Sequence, residues 1–225
     1  MQRAVFLDRD GVINQMVYNP DYGLVDSPIR PSEFTLMPGV GEGVKQINEM
    51  GFLAIVISNQ PGIAKGKFSK VLLDAITDKM HQTLNAQGAK MDSVYYCLHH
   101  PDAVLEEYRQ NCHCRKPKPG LLEQAANEWD IDLSTSYFIG DGITDMVAGQ
   151  AAGTICLYVG SRKEYVLDEF YRKGVEPDYI VGSLLEATYV IRKIENGEKD
   201  MESFVFSNTA RNLAKTQVRS NSISS

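Results

Sequence analysis

Short apolar runs alternate with longer amphipathic ones along most of the chain. Ala4–Asp8 reads as a buried strand, and Pro38-Gly39 opens a helical stretch to Met50 that Gly51 stops. The run Phe52–Ser58 is continuous and β-branched, as expected of a strand covered on both faces. Ser69 is placed to cap a helix reaching about Gln87, whose Val71, Leu72, Ala75, Ile76, Lys79, Met80 and Leu84 approximate a 3.6-residue stripe. Further strands are expected at Ser93–Cys97, Tyr137–Gly140, Thr154–Val159 and Tyr179–Val181, and further helices at Gly120–Trp129, Ile143–Ala152 and Leu184–Glu195. Ser161 followed by Glu164 reads as a capping box for one more helix, to Lys173. Residues 98–119 have no period and read as a loop. Strand and helix in alternation mean parallel βαβ units, so the expected fold class is α/β, a doubly wound parallel sheet with helices on both faces. One domain over 1–195 is followed by a Ser-, Asn- and Lys-rich tail, 196–225, expected to be flexible.

Composition narrows the function classes. The 225 residues carry a formal net charge of −6, which disfavours a nonspecific binder of nucleic acid. No apolar run reaches the ~18–20 residues that cross a bilayer, and Asp8 interrupts the N-terminal run too early for a signal peptide, so we expect a cytoplasmic protein without a membrane partner. Three of the four cysteines, Cys97, Cys112 and Cys114, share one stretch with His99, His100 and His113. In a reducing compartment such a cluster favours a metal over disulfides. Cys156 stands in an apolar run and is expected in the core.

In a doubly wound sheet ligands sit beyond the carboxyl ends of the strands. The first strand ends in Asp8-Arg9-Asp10-Gly11, the second in Ser58-Asn59-Gln60-Pro61-Gly62, and a later one in Gly140-Asp141-Gly142-Ile143-Thr144-Asp145. Arg115-Lys116-Pro117-Lys118 enters the helix at 120. Paired carboxylates leaving an apolar strand repel unless a cation sits between them. Several carboxylates can hold a hard divalent ion, while a hydroxyl and a lysine can hold phosphoryl oxygens, which together describe a phosphoryl-transfer site. C-x-H at 97–99 and C-x-C at 112–114 supply Cys97, His99, Cys112 and Cys114 as the four tetrahedral ligands of a structural zinc, with no open position for chemistry.

FLDRDGVIN at 6–14, SNQPGIAKGKF at 58–68, CRKPKPG at 114–120 and GDGITD at 140–145 resemble the four motifs of the haloacid dehalogenase (HAD) phosphatase superfamily, in order, across about residues 4–195. The resemblance implies Asp8 as the nucleophile that forms an aspartyl-phosphate and Asp10 as the acid that protonates the leaving oxygen and then activates water. It implies Mg²⁺ on Asp8, the Asp10 backbone carbonyl and Asp141. Ser58 and Lys116 would hold phosphoryl oxygens, with Asn59 in the same phosphate- or substrate-binding set. The stretch YYCLHHPDAVLEEYRQNCHCRKPKPG is similar to the zinc loop of the branch that includes heptose bisphosphate phosphatases and histidinol-phosphate phosphatase domains. Its long gap, His100 to Asn111, favours the former, with His100 and His113 as non-ligands. Arg115 would recognise substrate, a small phosphorylated sugar.

Two features depart from that pattern. Gly142 stands where the heptose enzymes carry a lysine, and the segment 15–30 is longer than the usual loop. Both bear on specificity, so another small-metabolite phosphatase stays open beside the heptose and histidinol readings. A nucleic-acid 3′-phosphatase and a silent HAD-like binding module are the outlying alternatives. The absence of a large cap insertion gives an expectation of an open site suited to small molecules, and the protein is expected to be a monomer.

Overall fold

The computed structural model describes residues 1–20, 23–161 and 164–198. Six parallel strands form the main sheet: β1 (Ala4–Leu7), β4 (Leu53–Asn59), β5 (Ser93–Cys97), β6 (Tyr137–Gly140), β7 (Ile155–Val159) and β8 (Tyr179–Val181). Their order is β5-β4-β1-β6-β7-β8, so the chain winds outward from β1 in one direction and then returns to wind in the other. β1 is therefore central, and the crevice where the winding reverses lies at its carboxyl end.

The two faces follow from the period of two along each strand. Val5 and Leu7 point to one side, into a cluster with Val44 and Ile47 of α1 (Val40–Glu49), Ile76, Met80 and Leu84 of α2 (Lys70–Asn85), and Ala187 and Ile191 of α6 (Leu184–Glu195). Ala4 and Phe6 point to the other, against Leu121, Leu122 and Ala125 of α3 (Gly120–Trp129) and Ala148 of α4 (Ile143–Ala152). Phe170 of α5 (Glu164–Lys173) covers Cys156 and Tyr158 on that same face, and Cys156 is fully buried as expected.

The expected elements are present, with ends displaced by one or two residues, and three readings change. On α2 the buried stripe is Leu73, Ile76, Met80 and Leu84, while Val71 is 75% exposed. Leu73 satisfies the i, i+3, i+7 spacing to the core, and Val71, two residues earlier, is turned to solvent. Ser69 does cap this helix, its Oγ accepting from the Leu72 amide. The segment 15–30 holds a small antiparallel pair, β2 (Val17–Asn19) and β3 (Leu24–Asp26), separate from the main sheet. The loop 98–119 contains one 3₁₀ turn, Glu106–Tyr108, and hangs on the Ala64 carbonyl by the amides of Val104 and Leu105. The capping box expected at Ser161 spans Arg162 and Lys163, and the expected tail runs on from 199; both lie outside the described residues.

Candidate active site

β1 delivers Asp8 beyond its last apolar residue, and the Asp8 amide still pairs with the Ile139 carbonyl of β6. The chain then turns sharply. Gly11 has φ +87°, and a Cβ there would lie 2.0 Å from Asp141 Oδ2, so only glycine lets this turn approach the end of β6. Lys116 arrives from the other side. Its backbone is clamped by Asn59, whose Oδ1 accepts from the Lys116 amide at 3.1 Å and whose Nδ2 donates to the Lys116 carbonyl at 3.0 Å. Its ammonium is buried, 2.9 Å from Asp8 Oδ1, 2.5 Å from Asp145 Oδ1 and 2.9 Å from the Ile57 carbonyl. Burial alone would lower the lysine pKa; Asp145 and then Asp8 outweigh it and raise it.

Asp145 closes the acidic strand end Gly140–Asp145, and its role comes from the structure. It sits one turn into α4, where its Oδ2 accepts from the Gly142 amide at 2.9 Å, capping the helix while Oδ1 faces Lys116. Asp8, Asp141 and Asp145 bring one carboxylate oxygen each within 4.8 Å of one another. Burial first, then Asp8 and Asp145, push the Asp141 carboxyl up to about 7. Three carboxylates face one ammonium, and Asp145 is already taken by Lys116 and Gly142. The excess negative charge on Asp8 and Asp141, in a half-buried cleft with oxygen donors, fits a hard divalent cation.

Asp10 is not part of that triad. Its carboxylate turns into a pocket of donors. Arg9 Nη2 lies 3.0 Å from both of its oxygens, Asn14 Nδ2 donates at 2.9 Å, Ser27 Oγ at 3.0 Å and Gln60 Nε2 at 2.6 Å. Burial would raise its pKa, but Arg9, and after it Asn14 and Gln60, hold it below the ordinary carboxylate value. Arg9 is wholly buried, its guanidinium 5.6 Å from the Tyr96 ring centroid. Ser58 Oγ is buried at the end of β4 and accepts from Gln60 Nε2 at 3.2 Å. The structure thus gathers Asp8, Asp10, Ser58, Lys116 and Asp141 at the carboxyl ends of β1, β4 and β6. Asn59, expected among the phosphate-binding residues, has both amide atoms on the Lys116 backbone instead.

The second cluster lies two residues before Lys116. Cys97 closes β5, and its Sγ is 3.5 Å from Cys112 Sγ and 3.3 Å from Cys114 Sγ; His99 Nδ1 is 3.3 Å from Cys114 Sγ. All four ligand atoms lie within 4.8 Å of one another, and the thiols form no disulfide. A tetrahedron with Zn–S bonds of about 2.3 Å has edges of about 3.8 Å, so this set fits zinc closely. His113 points outward to Glu123 Oε2 at 2.7 Å, and His100 Nδ1 accepts from the Asp102 amide at 3.0 Å, so neither joins the four. Gly120 makes the clasp possible, because a Cβ there would lie 2.6 Å from the His113 carbonyl oxygen. Arg115, between the two clusters, donates from Nη1 to the His99 carbonyl at 3.2 Å.

Comparison with known proteins decides the family. The chain is 41% identical, over 190 residues, to the D-glycero-beta-D-manno-heptose-1,7-bisphosphate 7-phosphatase of Escherichia coli (strain K12), covering 84% of this chain and 94% of the relative. The chain belongs to this phosphatase family. The enzyme of the same description from Pasteurella multocida (strain Pm70) is 41% identical over 152 residues, covering 68% of this chain and 78% of the relative. A HAD-hydrolase-like family model matches residues 113–187, from the cysteine clasp through β6 and β7 to α6. Among solved structures, a D,D-heptose 1,7-bisphosphate phosphatase from B. bronchiseptica, complexed with magnesium and phosphate, superposes with a TM-score of 0.70 at 28% identity; the match covers 86% of this chain and 99% of that one. The protein is thus a phosphatase on the HAD-like α/β fold. Among its described residues no helix is long and apolar enough to cross a membrane.

Proposed function

We propose that this phosphatase removes the 7-phosphate from D-glycero-beta-D-manno-heptose 1,7-bisphosphate through an aspartyl-phosphate on Asp8. The observation that carries the reading is the buried ammonium of Lys116, held 2.9 Å from Asp8 at the central strand end, with Asp141 alongside. The substrate follows from the E. coli relative.

Asp8 attacks phosphorus as the P–O bond to the sugar breaks. The bond pair goes to the leaving oxygen, which takes a proton from Asp10. Water then attacks the aspartyl-phosphate and gives a proton to the Asp10 carboxylate, freeing inorganic phosphate and the Asp8 carboxylate. The donors around Asp10 hold it in the ionised form that the second step uses. A phosphoryl dianion brought beside it adds a like charge and drives its pKa up, toward the protonated form that the first step uses. Lys116 and Ser58 hold phosphoryl oxygens, and Asn59 sets the lysine's height above Asp8.

Asp8, Asp141 and the Asp10 backbone carbonyl would hold Mg²⁺, whose charge would offset that of the phosphoryl group. Zn²⁺ would be held by Cys97, His99, Cys112 and Cys114 and do no chemistry. Such sites contribute ~10–16 kcal/mol in isolated peptides, ample to order a loop with little core of its own. With one nitrogen on His99, Arg115 is aimed by the clasp and meets the phosphate that is not cleaved. Gly142 offers no cation there, so that recognition falls to Arg115. We take the enzyme to be a cytoplasmic monomer without a nucleic-acid partner, in keeping with four cysteines that form no disulfide and a net charge of −6.

Asp8→Asn tests the mechanism. Turnover should fall by at least about a thousandfold while the melting temperature stays within a few degrees; a normal rate would refute the nucleophile. The substrate is tested by phosphate release, which should be faster from heptose 1,7-bisphosphate than from histidinol phosphate. The reverse ranking would replace the heptose reading with the histidinol one.

A further inference from the structure

Gln60 is a buried polar residue in the site to which the mechanism gives no task. It follows β4, is 1% exposed, and its backbone amide is tied to the Cys97 carbonyl at 2.8 Å. Its side chain meets three groups. Nε2 donates to Asp10 Oδ2 at 2.6 Å and to Ser58 Oγ at 3.2 Å, and Oε1 accepts from Arg9 Nη2 at 3.0 Å. Turning the amide over would set its NH₂ against the guanidinium and its oxygen against the carboxylate, so the two charges select one orientation. Arg9 orients Gln60, and Gln60 in turn grips the Asp10 oxygen that Ser27 also touches.

The other donors cannot replace it. Arg9 and Asn14 hold Asp10 from the interior and do not reach the phosphoryl-binding hydroxyl; Ser27 comes from the segment after β3, and its hydroxyl is free to rotate. Among the described residues Gln60 alone hydrogen-bonds both Asp10 and Ser58. We infer that Gln60 is the positioning residue for proton transfer, keeping the acid in register with the phosphoryl group that Ser58 holds. The inference rests on the reading of Asp10 as acid and base.

The test separates proton delivery from the rest of catalysis by the leaving group. A sugar alkoxide needs a proton as it departs, whereas p-nitrophenolate does not. Gln60→Met keeps the volume and loses every polar contact; Gln60→Glu keeps the shape and the acceptor for Arg9 but presents a carboxylate to Asp10. In single-turnover experiments both variants should cleave heptose 1,7-bisphosphate about 30- to 100-fold more slowly, the scale expected when an acid is misplaced by about 1 Å. The first release of p-nitrophenolate from p-nitrophenyl phosphate should fall about tenfold less than cleavage of the sugar ester does, since that leaving group needs no proton. Equal losses on the two substrates would make Gln60 merely structural, and no loss on either would remove its role; both results overturn the inference. Asp10→Ala run alongside should show the same split. If it does and the Gln60 variants do not, only the positioning role falls. If Asp10→Ala lacks the split, the acid assignment itself is wrong, and the inference falls with it.

Discussion

Gly120→Ala places one methyl group against His113, the middle of the Cys112–Cys114 clasp that we propose holds zinc. The new Cβ would lie 2.6 Å from the His113 carbonyl oxygen and 2.8 Å from its carbon, where ordinary contact begins at 3.4 Å. His113 would have to retreat by about 0.8 Å, and it joins Cys112 to Cys114. Metal–ligand distances tolerate about 0.2 Å, so the retreat cannot be absorbed with both thiolates in place. Overpacking of this kind costs about 1–3 kcal/mol, while alanine in place of glycine at the start of α3 returns up to about 1 kcal/mol whether zinc is bound or not. If the metal-free loop relaxes, the strain falls on the bound state, and zinc affinity drops by about 5- to 150-fold. Competition with a chromogenic chelator measures this directly. Gly43→Ala in α1 is the control, because its Cβ first meets the Leu184 side chain, at 3.1 Å, far from the metal ligands in the chain. Unchanged zinc affinity in Gly120→Ala would refute the argument that this glycine is what lets the clasp close.

Lys116→Met would leave Asp8 and Asp145 without their shared cation. An uncompensated buried charge costs about 3–5 kcal/mol, or about 6–20 °C of melting temperature in a domain of this size, and Mg²⁺ should restore part of it; calorimetry showing less than about 2 °C of change would contradict the pairing. A proton competes with Mg²⁺ for Asp141, whose pKa lies at about 7. Mg²⁺ affinity by titration calorimetry should therefore rise about tenfold per pH unit up to about 7 and then level off, and a flat profile from pH 5.5 to 7 would count against Asp141 as a ligand. Purified protein should contain near one equivalent of zinc, lost in Cys112→Ser. That variant should be cut by protease between residues 98 and 112, and a zinc-free protein that resists cleavage would end the structural-zinc reading.

The six parallel strands were legible because strands buried on both faces are written as unbroken apolar runs, which little else in a soluble chain resembles. The β2–β3 pair was not legible, because Tyr18, Leu24 and Val25 face solvent and show no alternation toward a core. On α2 the period gives Ile76, Met80 and Leu84, but in the first turn the apolar run Val71-Leu72-Leu73 is ambiguous, and only packing shows that Leu73 is the buried one. Asp8 and Asp10 stood out by residue type at a strand end, and the Cys97, His99, Cys112 and Cys114 cluster by its spacing. The pairing of Asp145 with Lys116 and that of Gln60 with Asp10 were not legible, since the partners lie far away in sequence and no local spacing encodes such a contact. Asn59 shows the converse: its place beside Ser58 suggested a phosphate ligand, and its amide went to a backbone 57 residues on.

Arg3, just before β1, forms a bidentate pair with Glu195 at the end of α6, each nitrogen 2.6 Å from its oxygen, and Tyr137 donates to the same carboxylate. This latch lies at the edge where the strands begin, a full strand length from the catalytic rim. A purification handle, a surface tether or a peptide joining positions 3 and 195 could be attached there with the reactive cleft still facing solution. New chain openings are best cut in loops on that same lower edge, away from the acidic cleft and the cysteine cluster.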